Sequence, residues 1–160
     1  TYGIVHDRMA AQGAALLPGV IRALRQGQAD PKPQDDALAT YAPKIEKEEC
    51  FLDFSKSAAV LQPPIRGLSP APLACAYLHS KKGVQRMKIA AAQVISAKVG
   101  VPAGTVFLSG DTPCVMCGQD ALSLCRVVPQ GKAEMDGAAY ARGRGIAPGD
   151  RLSQTEEENG

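Results

Sequence analysis

The 160 residues give room for one full domain, or for a small domain with a helical appendage, and 45% hydrophobic with 21% charged residues is an ordinary globular balance. No stretch reaches the roughly 18 consecutive apolar residues of a membrane span, and His6, Asp7 and Arg8 break the place where a secretory signal needs a continuous apolar run. The net charge of +2 hides a division: residues 1–69 are neutral, 70–151 carry ten Lys/Arg against five Asp/Glu, and 152–160 add three Glu. A basic module with a short acidic tail suggests a polyanionic partner.

The chain opens on Thr1 and enters helical periodicity almost at once, as expected of a piece cut from a longer polypeptide or of a chain that has lost its initiator Met. Val5, Met9, Leu16, Val20 and Leu24 recur near i+4 spacing from Tyr2 onward, with Gly27 as the stop. Pro18 falls inside this run and predicts a kink or two shorter helices, broken near Gly13 to Pro18. Residues 28–49 are polar, contain three prolines and lack periodicity, which is the composition of an extended linker. A second helix is expected within Ser57 to Leu68, after a capping Ser55, with Pro63-Pro64 interrupting it.

After Pro70 the pattern changes to strands and tight turns. Leu73 to Leu78 predicts a first strand and Lys82-Gly83 its turn. In the second, Met87, Ile89, Ala91 and Ile95 alternate with Lys88, Ala90, Ala92 and Val94. Thr105–Leu108, Pro113–Cys117 and Ala121–Val128 follow, with Gly110-Asp111 as a hairpin turn. A helix near Met135–Arg142 should end at Gly143, and the acidic residues 153–160 should be disordered. The fold expected is mainly β with flanking helices: a small OB-like barrel of five to six strands, preceded by a helical segment and an extended linker.

With no Trp, the core must come from Ala, Val, Leu and Ile. Five cysteines, an odd number in apolar strand-like surroundings, are expected reduced, which points to a cytoplasmic protein. Cys114-Val-Met-Cys117 has the spacing of a redox or zinc pair, but neither a helix start nor a second Cys/His pair accompanies it. A spacing of three on a strand also points the two side chains to opposite faces. His79, beside Ser80 and before Lys81-Lys82-Gly83, is expected to be an exposed turn histidine. The pairs Asp35-Asp36 and Glu48-Glu49 lie in polar stretches that cannot raise a carboxyl pKa by burial, so general acid work is not expected of them. No catalytic, cofactor-binding or metal residue is assigned. What remains are cations around the barrel, either a platform for backbone phosphates or a solubilising surface; Tyr77 and Phe107 are the strand aromatics available for stacking.

Several runs resemble methionyl-tRNA formyltransferases. His6-Asp7-Arg8-Met9-Ala10-Ala11 and Gly13-Ala14-Ala15-Leu16-Leu17 resemble the last helix of that family's catalytic domain. Pro33-Gln34-Asp35, Ala39-Thr40-Tyr41-Ala42-Pro43-Lys44-Ile45, Lys47-Glu48-Glu49 and Asp53-Phe54-Ser55 resemble its linker, where Asp-Trp-Ser is usual. Ile65-Arg66-Gly67-Leu68 and Pro70-Ala71-Pro72 resemble its helix-to-barrel junction, where Pro-Trp-Pro is usual. Gly104-Thr105-Val106, Cys117-Gly118, Gly131-Lys132 and Pro148-Gly149-Asp150-Arg151-Leu152 then follow in the family's order.

The resemblance implies four parts: residues 1–27 as a helical remnant of the N-terminal formyltransferase domain, 28–54 as linker, 55–152 as the C-terminal OB-like domain, and 153–160 as a disordered tail. Such enzymes transfer the formyl group of 10-formyltetrahydrofolate to initiator methionyl-tRNA, using an Asn, a His within His-x-Ser-Leu-Leu-Pro, and an Asp. All three precede the family's last catalytic-domain helix, and no such segment occurs here. The implied role is therefore non-catalytic, with no cofactor in this chain. Its implied partners are the missing N-terminal catalytic domain and the acceptor arm of initiator methionyl-tRNA, held by Lys44, Arg66, Lys81, Lys82, Arg86, Lys88, Lys132, Arg142, Arg144 and Arg151. The alternatives are the same domain of another folate-dependent formyltransferase, and a free-standing binding or structural barrel.

Overall fold

A computed structural model describes residues 1–98 and 100–157. The chain divides into two compact units, Tyr2–Ile45 and the part from Glu46 onward.

The first unit is built on α1 (Tyr2–Arg25), one continuous helix of 24 residues. The break expected near Gly13 to Pro18 does not occur. Pro18 deletes one intrahelical bond, but the helix buries no residue, so water can reach the carbonyl that loses its partner. Strong helix formers on both sides, Ala14 to Leu17 and Ile21 to Leu24, then carry the helix through. Gly27 adopts φ +67° and ends it. The Gly27 amide donates to the Leu24 carbonyl (3.2 Å) and the Gln28 amide to the Ala23 carbonyl (2.9 Å), the paired bonds of a Schellman motif. The stretch to Ile45 holds one 3-10 turn, Asp36–Leu38, capped by the Asp35 carboxylate.

In the second unit the chain joins a core before any long element forms. Cys50, Leu52 and Phe54 are buried, and the Leu52 amide donates to the Cys75 carbonyl (2.9 Å). Helix α2 (Ala58–Gly67) follows, with Ser57, not Ser55, at its N-cap. Pro63 and Pro64 lie inside it without breaking it. They face solvent, where water can reach the freed carbonyls, while Ala58, Leu61, Ile65 and Leu68 form the buried stripe.

Among the described residues, seven strands make one antiparallel sheet: β1 (Ala74–Ser80), β2 (Gly83–Ile95), β3 (Val106–Ser109), β4 (Thr112–Met116), β5 (Ala121–Pro129), β6 (Met135–Asp136) and β7 (Arg151–Ser153). Their order is β3-β4-β5-β2-β1-β7, with β6 beside β5. The mainly β fold with flanking helices is the one expected. The added strands, β6 and β7, have two and three residues, too few to show an alternating pattern. Helix α3 (Gly137–Arg142) accordingly begins after Met135, with the Asp136 carboxylate accepting from the Ala139 amide (2.9 Å).

The sheet curls without a closing ladder. Its edges meet at one bridge, Thr105 to Arg151. Backbone bonds flank it: Val106 amide to Asp150 carbonyl (2.8 Å), Gly149 amide to Val106 carbonyl (2.9 Å) and Leu152 amide to Gly104 carbonyl (2.8 Å). A Cβ on Gly104, at φ +86°, would lie 2.5 Å from the Leu152 carbonyl oxygen, so only glycine permits this approach.

The strict alternation expected along β2 is also corrected. Its register against β5 shifts between Ile89 and Ala92, a bulge that places Met87, Ile89, Ala90 and Ala92 inside and leaves Ala91 half-buried. Leu61, Ile65, Leu78, Met87, Ile89, Leu122, Leu124 and Ile146 belong to one core cluster among the described residues.

Candidate nucleic-acid interface

The hairpin β1–β2 and its neighbour β7 organise the cationic surface. On β1, Ala74, Ala76 and Leu78 are fully buried toward the core, so Cys75, Tyr77 and His79 take the other face. Opposite them on β2 stand Lys88, Arg86 and Val84, respectively. On β7, Ser153 pairs with Tyr77 and Arg151 with His79. One outer face therefore carries Arg86, Lys88 and Arg151 around Tyr77.

This face is partly covered by chain. Phe51 bridges Cys75 in parallel and stacks on Tyr77, with ring centroids 5.1 Å apart and planes 12° apart. His79 is buried, at 6% exposure, which corrects the exposed turn histidine expected from its neighbours. The turn proper begins at Lys81, and His79 lies within β1 under the segment that follows β7. Its Nε2 lies 2.7 Å from Ser153 Oγ and 3.2 Å from the Thr155 carbonyl oxygen. The expected tail disorder over 153–160 meets a described backbone as far as Glu157, with Ser153 in β7; residues 158–160 lie outside the described residues.

Lys81 and Lys82 occupy the β1–β2 turn, and Lys82 Nζ donates to the Arg144 carbonyl (2.6 Å), bringing those two residues together. Arg86 and Lys88 share the outer face of β2; Lys88 Nζ donates to the Pro72 carbonyl (3.2 Å). Burial raises the Cys75 thiol pKa, opposed by the positive charge of Lys88 and Arg86. The remaining cations are placed elsewhere. Arg66 is on the exposed face of α2, Lys132 in the turn after β5, and Arg142 at the end of α3, 3.6 Å from an Asp111 carboxylate oxygen. Lys44 belongs to the first unit.

The sequence reading missed the Phe51–Tyr77 pair. Its signal was present, since Cys50, Leu52 and Phe54 alternate with Phe51 and Asp53 as a covering strand would. Arg126 pairs with Glu134 across the turn between β5 and β6, so its charge is locally offset.

The cysteines are free. Cys114 and Cys117 are both buried, and their thiols donate to the carbonyls of Thr112 and Val115 (3.6 and 3.8 Å). Burial raises the Cys117 pKa to about 11, the reverse of what a reactive thiolate needs. Among the described residues no three His, Cys, Asp or Glu gather as metal ligands, and no helix is long and apolar enough to cross a membrane.

Fold and site together define an antiparallel, barrel-like β domain with a cationic outer face. The chain belongs to the formyl transferase C-terminal domain family, whose model matches residues 44–145. It is similar to the methionyl-tRNA formyltransferase of Bacillus velezensis, at 34% identity over 159 residues, covering 98% of this chain and 49% of that protein. It is 40% identical over 153 residues to that of Methylobacterium sp. (strain 4-46), covering 96% and 48%. The chain thus spans about half the length of these relatives. Among solved structures, HypX from Aquifex aeolicus in complex with tetrahydrofolic acid shares the fold, with a TM-score of 0.60 at 14% identity over 80% of this chain and 22% of that one.

Proposed function

We propose that this chain is the tRNA-holding part of a methionyl-tRNA formyltransferase, and that formyl transfer takes place on the half of such a protein that this chain does not span. The observation carrying the proposal is the outer face of β1, β2 and β7, where Arg86, Lys88 and Arg151 surround Tyr77 beside the Lys81-Lys82 turn, in a domain of this family. The similarity to methionyl-tRNA formyltransferases along nearly all of this chain supports that parent over another folate-dependent formyltransferase.

In this reading lysines and arginines displace condensed counterions from the phosphates of the initiator methionyl-tRNA acceptor arm. They fix its position without reading bases. The 10-formyltetrahydrofolate site and the groups that activate the amine belong to the catalytic half, and the complex works in the cytoplasm.

The test is a titration of tRNA binding across ionic strength. The expected Kd is on the order of micromolar or weaker near physiological salt, tightening steeply at low salt. Equal affinity for elongator and initiator tRNA is expected of this part alone. Binding that is insensitive to salt, or absent at low salt, contradicts the proposal.

A further inference from the structure

We propose that residues 154–157 form an acidic strap that competes with RNA for the outer face of β1 and β2. This inference rests on the RNA-binding reading above and adds a device that sets its strength.

Strand β7 delivers the chain to the face, because Ser153 pairs with Tyr77 at the centre of β1. Beyond Ser153 the backbone is anchored by His79. Its Nε2 lies 2.7 Å from Ser153 Oγ and 3.2 Å from the Thr155 carbonyl oxygen, so the imidazole holds both residues. The Ser153 hydroxyl in turn donates to the Thr155 carbonyl. Thr155 Oγ1 donates to the Glu157 carbonyl (2.9 Å), so the side chains hold the strap in a defined path.

That path places Glu156 over the cations. Glu156 lines one open recess with His79, Ser80 and Lys81, and another with Tyr77, Arg86 and Gln130. Glu157 joins Phe51 and Tyr77 in a third. Among the described residues Glu156 and Glu157 make no close ion pair, so their attraction to Lys81 and Arg86 acts through solvent and is screened by salt. A strap held this way occupies the face with two carboxylates yet yields to a denser polyanion.

Binding of tRNA is measured at several salt concentrations for the full chain, for a chain ending at Ser153, and for Glu156→Gln/Glu157→Gln. Ending at Ser153 retains β7. The shortened chain is expected to bind roughly threefold to tenfold tighter at low salt, with a log–log salt slope steeper by about one to three, because three opposing carboxylates, Glu156 to Glu158, are gone. The double Gln variant should show most of that gain. His79→Leu keeps both carboxylates but removes the anchor; it should bind tighter and show faster hydrogen exchange at the Thr155 to Glu157 amides. Should His79→Leu fail to fold, Ser153→Ala tests the same anchor. Equal, salt-sensitive binding by the full and shortened chains overturns the strap and leaves the RNA reading standing. Absence of binding by every form overturns both.

Discussion

Gly118 and Ser55 meet backbone to backbone: a Cβ on Gly118 would lie 1.9 Å from the Ser55 carbonyl oxygen. The Gly118 amide donates to the carbonyls of Phe54 and Lys56, each at 2.9 Å, and the Ala58 amide donates to the Gln119 carbonyl (3.0 Å). The turn after β4 is thereby locked to the entry of α2. A methyl group cannot be placed there without moving backbone. Gly118→Ala is therefore expected to destabilise the domain by about 1–3 kcal/mol, the range of overpacking mutations that force backbone shifts. Urea unfolding measures it, and a loss below about 0.5 kcal/mol would show that the two segments separate easily.

Asp53 supplies an acid-side signature. Ser55 Oγ donates to its carboxylate (2.6 Å), as does the Ser55 amide (3.0 Å). The Ser55 hydroxyl bond, chiefly, and then the Ser55 amide and nearby Lys56 hold this carboxyl below its ordinary 3.8, against a smaller upward push from burial. A depressed folded pKa means the unfolded chain takes up the proton first as pH falls. The contribution is full above the ordinary value and is lost as pH falls through the folded one. Asp53→Asn should remove that part of the acid dependence of stability, and an unchanged acid limb in the variant would refute it.

Cys117 has the opposite signature at high pH. Burial raises its pKa from 9.0 to about 11, so the unfolded chain loses this proton first as pH rises. Stability should decline between those values, and Cys117→Ala should flatten the decline. At pH 8 the native thiol should also alkylate much more slowly than after unfolding in urea. Rapid labelling of the native protein at Cys117 would contradict the buried placement.

Two pairs of the segments that carried the family resemblance prove to be joints of the fold. Asp53-Phe54-Ser55 meets Cys117-Gly118, and Gly104-Thr105-Val106 meets Pro148 to Leu152 through the bonds that tie the sheet edges. The mainly β fold was legible because β2, β4 and β5 alternate or run apolar between turn residues. Strand β1 was harder to read. Phe51 and the segment after β7 cover its second face, so His79 lies buried in a sequence neighbourhood of Ser and Lys that signals a turn. Tertiary cover of this kind leaves no local pattern, and neither do two- and three-residue strands. Of the site, the cations were legible by charge alone. Their sorting into an outer-face group and scattered others depends on register, which only the pairing of β1 with β2 and β7 supplies.

The most direct test of the account is tRNA binding, as a function of salt, by wild type, Arg86→Glu/Lys88→Glu and Lys132→Glu. Arg86 and Lys88 share the outer face of β2, whereas Lys132 lies in the turn after β5. The double variant should bind at least about tenfold more weakly at low salt and lose roughly two from the log–log slope, as expected for the loss of two phosphate contacts. Lys132→Glu should remain within about threefold of wild type. Wild-type affinity in the Arg86/Lys88 variant, with the loss appearing in Lys132→Glu instead, would contradict the assignment of the outer face of β1, β2 and β7 as the RNA-binding surface.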